Sequence, residues 1–119
     1  MKFGGFVKDK RQSLNITLRA LAERLEIAPS YMSDIEKGKR NAPTQEVLEK
    51  MASVLELNNN DRNKLFDLAA ESKNEVAQDL TQYLSENKSV RVALRRAKEL
   101  NLGEDEWLKI IDEMLTKGK

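Results

Sequence analysis

A chain of 119 residues can form one domain of ordinary size, or a small domain with a helical annex, and is too short for a second full catalytic domain. It contains no Cys and no His, which excludes disulfides, thiolate nucleophiles, Ser-His triads and Cys/His zinc or haem sites. We therefore expect neither an enzyme nor a metal or other cofactor. The formal charge of +1 points to no particular partner. No apolar run is long enough to span a bilayer or to act as a signal peptide, which predicts a soluble cytoplasmic protein without a membrane partner.

Helix-forming residues fill the chain between a few Gly and Pro positions, and this composition predicts an all-α fold. The spacing of apolar residues predicts five short helices in residues 3–71: roughly 3–13, 18–26 and 29–37, one capped by Thr44, and one that begins at Asn59 or Asn60. Thr17 is the predicted cap of the second helix. On the first helix, Lys8, Lys10 and Arg11 are expected to face solvent.

Three further amphipathic helices are predicted after a polar connection at residues 71–74. Their apolar positions are, in turn, Val76, Leu80, Tyr83 and Leu84; Val90, Ala93, Leu94, Ala97 and Leu100; and Trp107, Ile110, Ile111, Met114 and Leu115. The seventh helix is predicted to stop at Gly103. We divide the chain into a domain of residues 1–72 and a C-terminal helical extension of residues 73–119.

Residues 17–40 have the pattern of two short helices that cross steeply. Such a crossing needs a small residue where the backbones approach, and Ala22 meets that need. Apolar side chains must seal the angle between the helices, and they are present at Leu21, Leu25, Ile27, Met32 and Ile35. The outer face of the second of these helices is then compact and polar, and such a helix fits a DNA major groove about 12 Å wide.

Residues 6–57 resemble the Cro/repressor-type helix-turn-helix family, also called the xenobiotic-response-element family. The resemblance rests on Leu21-Ala22, Ser30 to Ser33, Ile35 to Asn41 and Leu48 to Leu55. It implies a five-helix repressor-like DNA-binding domain whose third helix enters the major groove of double-stranded DNA, and which usually works as a dimer. With the C-terminal three-helix extension, the expected fold class is all-α throughout.

The resemblance also implies which side chains meet DNA. Candidates for base or groove contact are Pro29, Ser30, Tyr31, Ser33, Asp34 and Lys37. Candidates for contact with the DNA backbone are Thr17, Arg19, Lys39, Arg40 and Asn41. Lys37, Lys39 and Arg40 form a local basic cluster, and a second cationic stretch lies in the first eleven residues, where Asp9 is the only acid.

Four positions depart from the family pattern. Leu18 replaces the common Gln at the start of the second helix, which removes an amide that would clamp a phosphate. Glu26 replaces the usual Gly of the turn and would be strained by about 1 kcal/mol if the turn requires a positive φ. Ala28 replaces the usual hydroxyl cap of the third helix. Asp34 places a negative charge on the predicted DNA face, where it either accepts a hydrogen bond from cytosine N4 or pairs with Lys37 or Arg19.

Two interpretations remain open for the apolar stripe of Trp107, Ile110, Ile111, Met114 and Leu115. The stripe packs on the fifth and sixth helices within one chain, or it forms the interface of a homodimer. We favour the dimer, because one recognition helix reads too few base pairs to find a site alone.

The function predicted is that of a transcriptional regulator, in particular a repressor that acts as a homodimer on a two-fold operator. The alternative is an antitoxin-like interaction module that binds a protein partner through the C-terminal helices and regulates its own gene.

Overall fold

The computed structural model describes residues 1–118, which contain eight α-helices and no β-strand. The prediction of an all-α fold is confirmed. The helices are α1 (Phe3–Ser13), α2 (Leu18–Leu25), α3 (Pro29–Glu36), α4 (Gln45–Val54), α5 (Asn59–Ser72), α6 (Gln78–Glu86), α7 (Lys88–Leu100) and α8 (Glu104–Lys117). The described residues form two compact units, which divide between Thr81 and Gln82 inside α6. None of these helices is both long and apolar enough to cross a membrane.

The first unit is built around an apolar core to which each of α1 to α5 contributes. α1 packs against α3 and α5, α2 packs against α3 and α4, and α4 packs against α5. Its largest fully buried side chains are Val7, Leu21, Leu25, Met32, Ile35, Met51 and Leu65. Burial of an aliphatic side chain of this size stabilises a fold by about 1.5–3 kcal/mol, so this core fixes the angles between the helices.

Side-chain caps define the starts of three helices in this unit. Thr17, Thr44 and Asn58 each accept a hydrogen bond from the backbone N–H three residues later, at 3.1, 3.5 and 2.8 Å. The predicted caps at Thr17 and Thr44 are confirmed, and Asn59 is the first residue of α5 as predicted. Each cap satisfies one N–H that the helix itself leaves without a partner.

The turn between α2 and α3 requires a positive φ at Glu26, which is the condition under which a residue other than Gly is strained. Glu26 is left-handed, with φ 59° and ψ 40°, and the N–H of Ile27 donates to the carbonyl of Ala22 at 3.0 Å. No side chain caps α3 at Ala28, while Pro29 occupies its first turn. The turn therefore forms without the Gly and without the hydroxyl that usually favour it.

The first unit extends beyond α5. Ala77 is 4% exposed and belongs to the core cluster of this unit, which continues to Thr81. Val76 precedes α6 and is exposed, so the prediction that Val76 lies on the apolar face of the sixth helix is wrong. The reason is that Ala77, and not Val76, turns into the core.

The second unit comprises the end of α6 with α7 and α8. α7 ends at Leu100 because Asn101 adopts a left-handed conformation with φ 55°. The helix therefore stops at Asn101, before the predicted stop at Gly103. Gly103 instead precedes α8, and its N–H donates to the carboxylate of Glu106 at 2.7 Å. Ala97 is the only buried side chain among residues 82–118.

Candidate nucleic-acid interface

The core of the first unit holds α3 with one face inward and the other toward solvent. Met32 and Ile35 are buried to 1% exposure or less, and they are the inward anchors of the helix. The residues at the start of the helix, Pro29 and Ser30, are exposed. α3 is thus fixed by its buried side while its polar side remains accessible.

Four of the predicted base-contact residues share one face of α3. Ser30, Ser33, Asp34 and Lys37 follow one another at the i, i+3, i+4 and i+7 spacing that aligns side chains along a helix. Ser30 and Lys37 are exposed, and Ser33 and Asp34 are half-buried. Together they make a narrow polar surface without large aliphatic side chains, which is what entry into a groove requires.

The other two predicted base-contact residues lie at the flanks of that face. Pro29 is exposed on one side, in the first turn of the helix. Tyr31 lies on the other side, where it is half-buried and packs against the core cluster. Tyr31 is therefore an aromatic residue at the edge of the core that keeps part of its surface in solvent.

The loop after α3 carries the basic cluster close to the end of that helix. The N–H of Lys39 donates to the carbonyl of Asp34 at 2.8 Å, and Gly38 turns the chain with φ 78°. Lys37, Lys39, Arg40 and Asn41 are all exposed. Among the ion pairs of residues 1–118, Arg40 is the member of this cluster that has a carboxylate partner.

That partner is Asp34, whose Oδ2 lies 3.9 Å from Nε of Arg40. The predicted pairing of Asp34 with Lys37 or Arg19 is therefore wrong. Arg40 reaches Asp34 because the turn at Gly38 folds the loop back along α3. The guanidinium of Arg40 also lies 5.8 Å from the centre of the Tyr31 ring.

The remaining two backbone-contact candidates belong to the start of α2. Thr17 uses its hydroxyl oxygen to cap α2, and its residue as a whole is exposed. Arg19 is exposed in the first turn of the same helix. The structure thus brings Arg40 together with Tyr31 and Asp34, whereas Thr17 and Arg19 stand on a different helix.

An ion pair that the sequence analysis missed anchors the end of α3. Nε and Nη2 of Arg11 donate to the two carboxylate oxygens of Glu36 at 2.7 and 2.9 Å, and Nη1 donates to the carbonyl of Ile16 at 2.9 Å. Both side chains are almost buried, at 11% and 5% exposure. The hydrogen bond with Glu36 and its charge raise the pKa of Arg11 above its ordinary value, against the opposing effect of burial.

The prediction that Arg11 faces solvent is therefore wrong. Helical spacing carried the signal, because Arg11 follows the buried Val7 by four residues, and Glu36 follows the buried Met32 by four. Lys10 is also engaged, with its Nζ 2.8 Å from the carboxylate of Asp61. The cationic stretch of α1 is thus partly neutralised inside the unit, and the basic cluster after α3 stands out more strongly.

A close backbone approach at Gly4 also positions α3. A Cβ atom at Gly4 would lie 2.5 Å from the carbonyl oxygens of both Ile35 and Glu36. Only Gly can therefore occupy this position without displacing the end of α3. Glycine inside a helical pattern is a sequence signal of such an approach, although the sequence alone does not tell Gly4 from the adjacent Gly5.

The second unit carries an apolar groove of about 520 Å³ between α7 and α8. Its walls include Val90, Leu94, Leu100, Trp107, Ile110 and Met114. Of the predicted interface residues, Trp107 and Ile110 are half-buried, and Ile111, Met114 and Leu115 are exposed. Within residues 1–118 there is no group of three or more acidic side chains that could hold a metal ion.

Comparison with known proteins shows to which fold family the helices of the first unit belong. The helix-turn-helix family model matches residues 7–58, which cover α1 from Val7 onward and all of α2, α3 and α4, including the α2–turn–α3 arrangement described above. Residues 7–58 form a helix-turn-helix domain. The match confirms the resemblance of residues 6–57 to the Cro/repressor-type helix-turn-helix family.

Two relatives from Mycobacterium tuberculosis, one from strain CDC 1551 and one from strain H37Rv, are each described as an uncharacterized HTH-type transcriptional regulator. Each is 35% identical to this chain over 52 residues, which is 44% of this chain. The match spans 36% of the length of either relative.

A chain of the solved complex of SinR protein and SinI protein is similar in fold, with a TM-score of 0.51 and 22% sequence identity. The similarity covers 98% of this chain and 99% of that chain. The helix-turn-helix domain and the helices that follow it therefore have a known counterpart as a fold.

Proposed function

We propose that this protein is a sequence-specific, double-stranded DNA-binding transcriptional regulator that acts as a repressor. The observation that supports it best is the polar face of α3, which the buried Met32 and Ile35 hold toward solvent beside the basic loop of residues 37–41. In this arrangement α3 reads base edges and the loop contacts phosphates. Occupation of an operator that overlaps a promoter would block transcription without chemistry, and DNA binding would place the protein in the cytoplasm.

The test measures binding of the full chain to a library of random duplexes over a range of salt concentrations. We expect binding to weaken with salt and the selected duplexes to share a sequence, because phosphate contacts release counterions and base contacts select. Lys39→Ala should weaken binding to all duplexes and reduce the salt slope by about 1, whereas Ser33→Ala should change the selected bases.

Lys109→Ala, on α8 in the second unit, is the control for the loss of one exposed cation. It should leave both the salt slope and the selected sequence unchanged. Binding that is equal for all sequences, or no binding even at low salt, would contradict the proposal.

We further propose that the protein acts as a homodimer through its second unit. The exposed apolar side chains of α8 and the groove between α7 and α8 support this proposal. The charges of the two helices are also complementary, since α7 carries five basic residues and one acidic residue, and α8 carries five acidic and two basic residues. A two-fold pairing can place α7 of each copy against α8 of the other, so that opposite charges flank a shared apolar core.

A charge placed on the apolar side of α8 tests the dimer. Met114→Glu should convert the full chain to a monomer in a solution-mass measurement, because Met114 is 65% exposed and lines the groove. It should also weaken binding to a duplex with two half-sites and leave single half-site binding intact. Thr116→Glu adds the same charge on the opposite side of α8 and is the matched control. A wild-type chain that is monomeric at all concentrations would refute the dimer.

A second candidate function is an antitoxin-like module whose C-terminal helices bind a different protein. The apolar groove of the second unit also favours this candidate, because the groove would accept an apolar helix of a partner protein. The two candidates differ in stoichiometry. A complex with a second protein that Met114→Glu abolishes, found together with a monomeric free chain, would favour the module.

A further inference from the structure

Arg40 differs from the other cations of the basic loop in what it touches. Its Nε lies 3.9 Å from the carboxylate of Asp34, and its guanidinium lies 5.8 Å from the ring centre of Tyr31. Both contacts are side chains of α3, on or beside the face that we propose to read DNA. Lys37 and Lys39 have no carboxylate partner within residues 1–118. Arg40 therefore links the loop to the reading face.

Asp34 needs such a partner if α3 enters a groove. A carboxylate on that face approaches two rows of phosphates and is repelled by them, unless a cation lies beside it. In the free protein the pair with Arg40 is exposed and contributes little. When DNA covers the pair, water leaves, the effective dielectric constant falls, and the attraction between Arg40 and Asp34 grows. The interaction of the two residues thus becomes important in the complex.

We propose that Arg40 is a specificity-determining positioning residue of the recognition helix. It neutralises Asp34 and, with the Tyr31 ring, holds the carboxylate in place, so that Asp34 accepts a hydrogen bond from a cytosine N4 amino group at one position of the site. This role rests on the proposed DNA-binding function and adds to it the reason why an acid stands on the reading face.

A plain phosphate contact and a positioning residue predict different results. If Arg40 only contacts phosphate, its loss weakens binding to every sequence by the same factor, whatever residue stands at position 34. If Arg40 positions and neutralises Asp34, the loss of Arg40 lowers DNA affinity more when the carboxylate at position 34 is present. Removal of that carboxylate then restores part of the lost affinity. The preference for one base pair also falls only in the second case.

The experiment is a double-mutant cycle on the full chain with Arg40→Gln, Asp34→Asn and the two combined. The probes are the duplex that the wild type selects from a random library, the same duplex with each base pair changed in turn, and a random-sequence duplex. We expect the combined variant to bind the selected duplex at least about threefold better than the product of the two single effects. We also expect Arg40→Gln and Asp34→Asn to lose preference at the same base pair.

Lys39→Gln, alone and combined with Asp34→Asn, is the matched control, because it removes a neighbouring cation that makes no ion pair with Asp34. Its effect should multiply with that of Asp34→Asn, and the base preference should remain. All three side chains are at the surface, and thermal unfolding of each variant checks that the fold is kept.

Independent effects of Arg40→Gln and Asp34→Asn, with base preference intact in Arg40→Gln, would overturn the positioning role and leave the proposed DNA-binding function in place. A wild type that selects no sequence would overturn both. The two failures are thereby distinguishable.

Discussion

At the scale of single residues, the buried pair of Arg11 and Glu36 joins α1 to the end of α3. Two parallel hydrogen bonds and a third to the carbonyl of Ile16 satisfy the guanidinium in a place with little water. A pair of this kind is replaceable by well-packed apolar residues, but removal of one partner leaves a buried charge alone. The pair is therefore a strong constraint on how α3 is presented.

Arg11→Ala should destabilise the first unit by about 3–5 kcal/mol, because the carboxylate of Glu36 then stays buried without a partner. Urea denaturation followed by circular dichroism measures the change. Lys10→Ala, which breaks the more exposed pair with Asp61, is the control and should cost less than about 1 kcal/mol. Equal effects of the two substitutions would show that the Arg11 pair is not a special anchor.

Asp67 gives the first unit a dependence on pH. Although Asp67 is an exposed residue, partial loss of hydration, and then the charges of Asp79 and Glu71, raise the pKa of its carboxyl above the ordinary value of 3.8. The folded state therefore binds the proton of Asp67 more tightly than the unfolded state does. As a result, the contribution of Asp67 to the free energy of unfolding falls as the pH rises from 3.8 through the raised pKa.

Asp67→Asn should accordingly stabilise the protein slightly at neutral pH, and the gain should vanish below pH 3.8. Thermal unfolding at both pH values measures it. Asp9→Asn, at an exposed site on α1, is the comparison substitution. A gain from Asp67→Asn that persists in acid would mean that the ionised carboxyl is not its source.

At the scale of elements, the two glycines of α1 have opposite roles although they are adjacent. A Cβ at Gly4 would meet the backbone of Ile35 and Glu36 at 2.5 Å, whereas a Cβ at Gly5 has as its nearest neighbour the side chain of Met1, at 3.9 Å. The first glycine allows α1 to approach α3, and the second only weakens the helix.

Gly4→Ala should therefore destabilise the domain by about 1–3 kcal/mol through overpacking against α3. Gly5→Ala should stabilise it by about 0.5–1 kcal/mol, since Ala is the better helix former and meets no obstacle. Denaturant titration of the two variants measures both signs. If Gly4→Ala were also stabilising, the close approach of α1 to α3 would be refuted.

The turn between α2 and α3 stores strain at Glu26, whose φ is 59°. Glu26→Gly should raise the free energy of unfolding by about 1 kcal/mol, less the small contribution of its exposed pair with Lys50. Differential scanning calorimetry would show a higher midpoint. Glu23→Gly, inside α2, is the control and should lower it. A drop for both variants would indicate that the turn has no strain to relieve.

At the scale of the whole molecule, the first unit needs chain beyond α5. Ala77 is buried in its core, although the sequence places a domain boundary at residue 72. A fragment of residues 1–81 should keep the core complete, whereas a fragment of residues 1–72 exposes apolar surface that Ala77 covers.

The longer fragment should unfold cooperatively, with a midpoint temperature several degrees above that of the shorter fragment. A shift of this size corresponds to about 1 kcal/mol of apolar burial that the shorter fragment loses. The two midpoints come from thermal unfolding followed by circular dichroism. The variant Ala77→Ser in the longer fragment should reproduce part of the loss, because it places a hydroxyl in the core. Identical midpoints for both fragments would show that residues 73–81 do not stabilise the unit.

Local patterns were enough to predict most of the helices and the polar face of α3. Periodicity of apolar residues, the caps at Thr17 and Thr44, and Pro29 in the first turn of α3 depend on interactions between residues three or four apart. The same spacing assigned Met32 and Ile35 to the core, and it thereby assigned Ser30, Ser33 and Lys37 to the outer face. These interactions are local, so they can be derived from the order of the residues alone.

Tertiary structure alone decided which distant side chains meet. Arg11 pairs with Glu36 across 25 positions of sequence, and a loop that folds back along α3 delivers Arg40 to Asp34 and Tyr31. Ala77 joins a core whose other members end with α5. Each outcome depends on the angles between helices, which the whole core sets. By itself, the sequence determined the helices, the helix-turn-helix motif and its polar face. Packing then decided that Arg11 pairs with Glu36 at the end of α3 and that Arg40 pairs with Asp34 on its polar face.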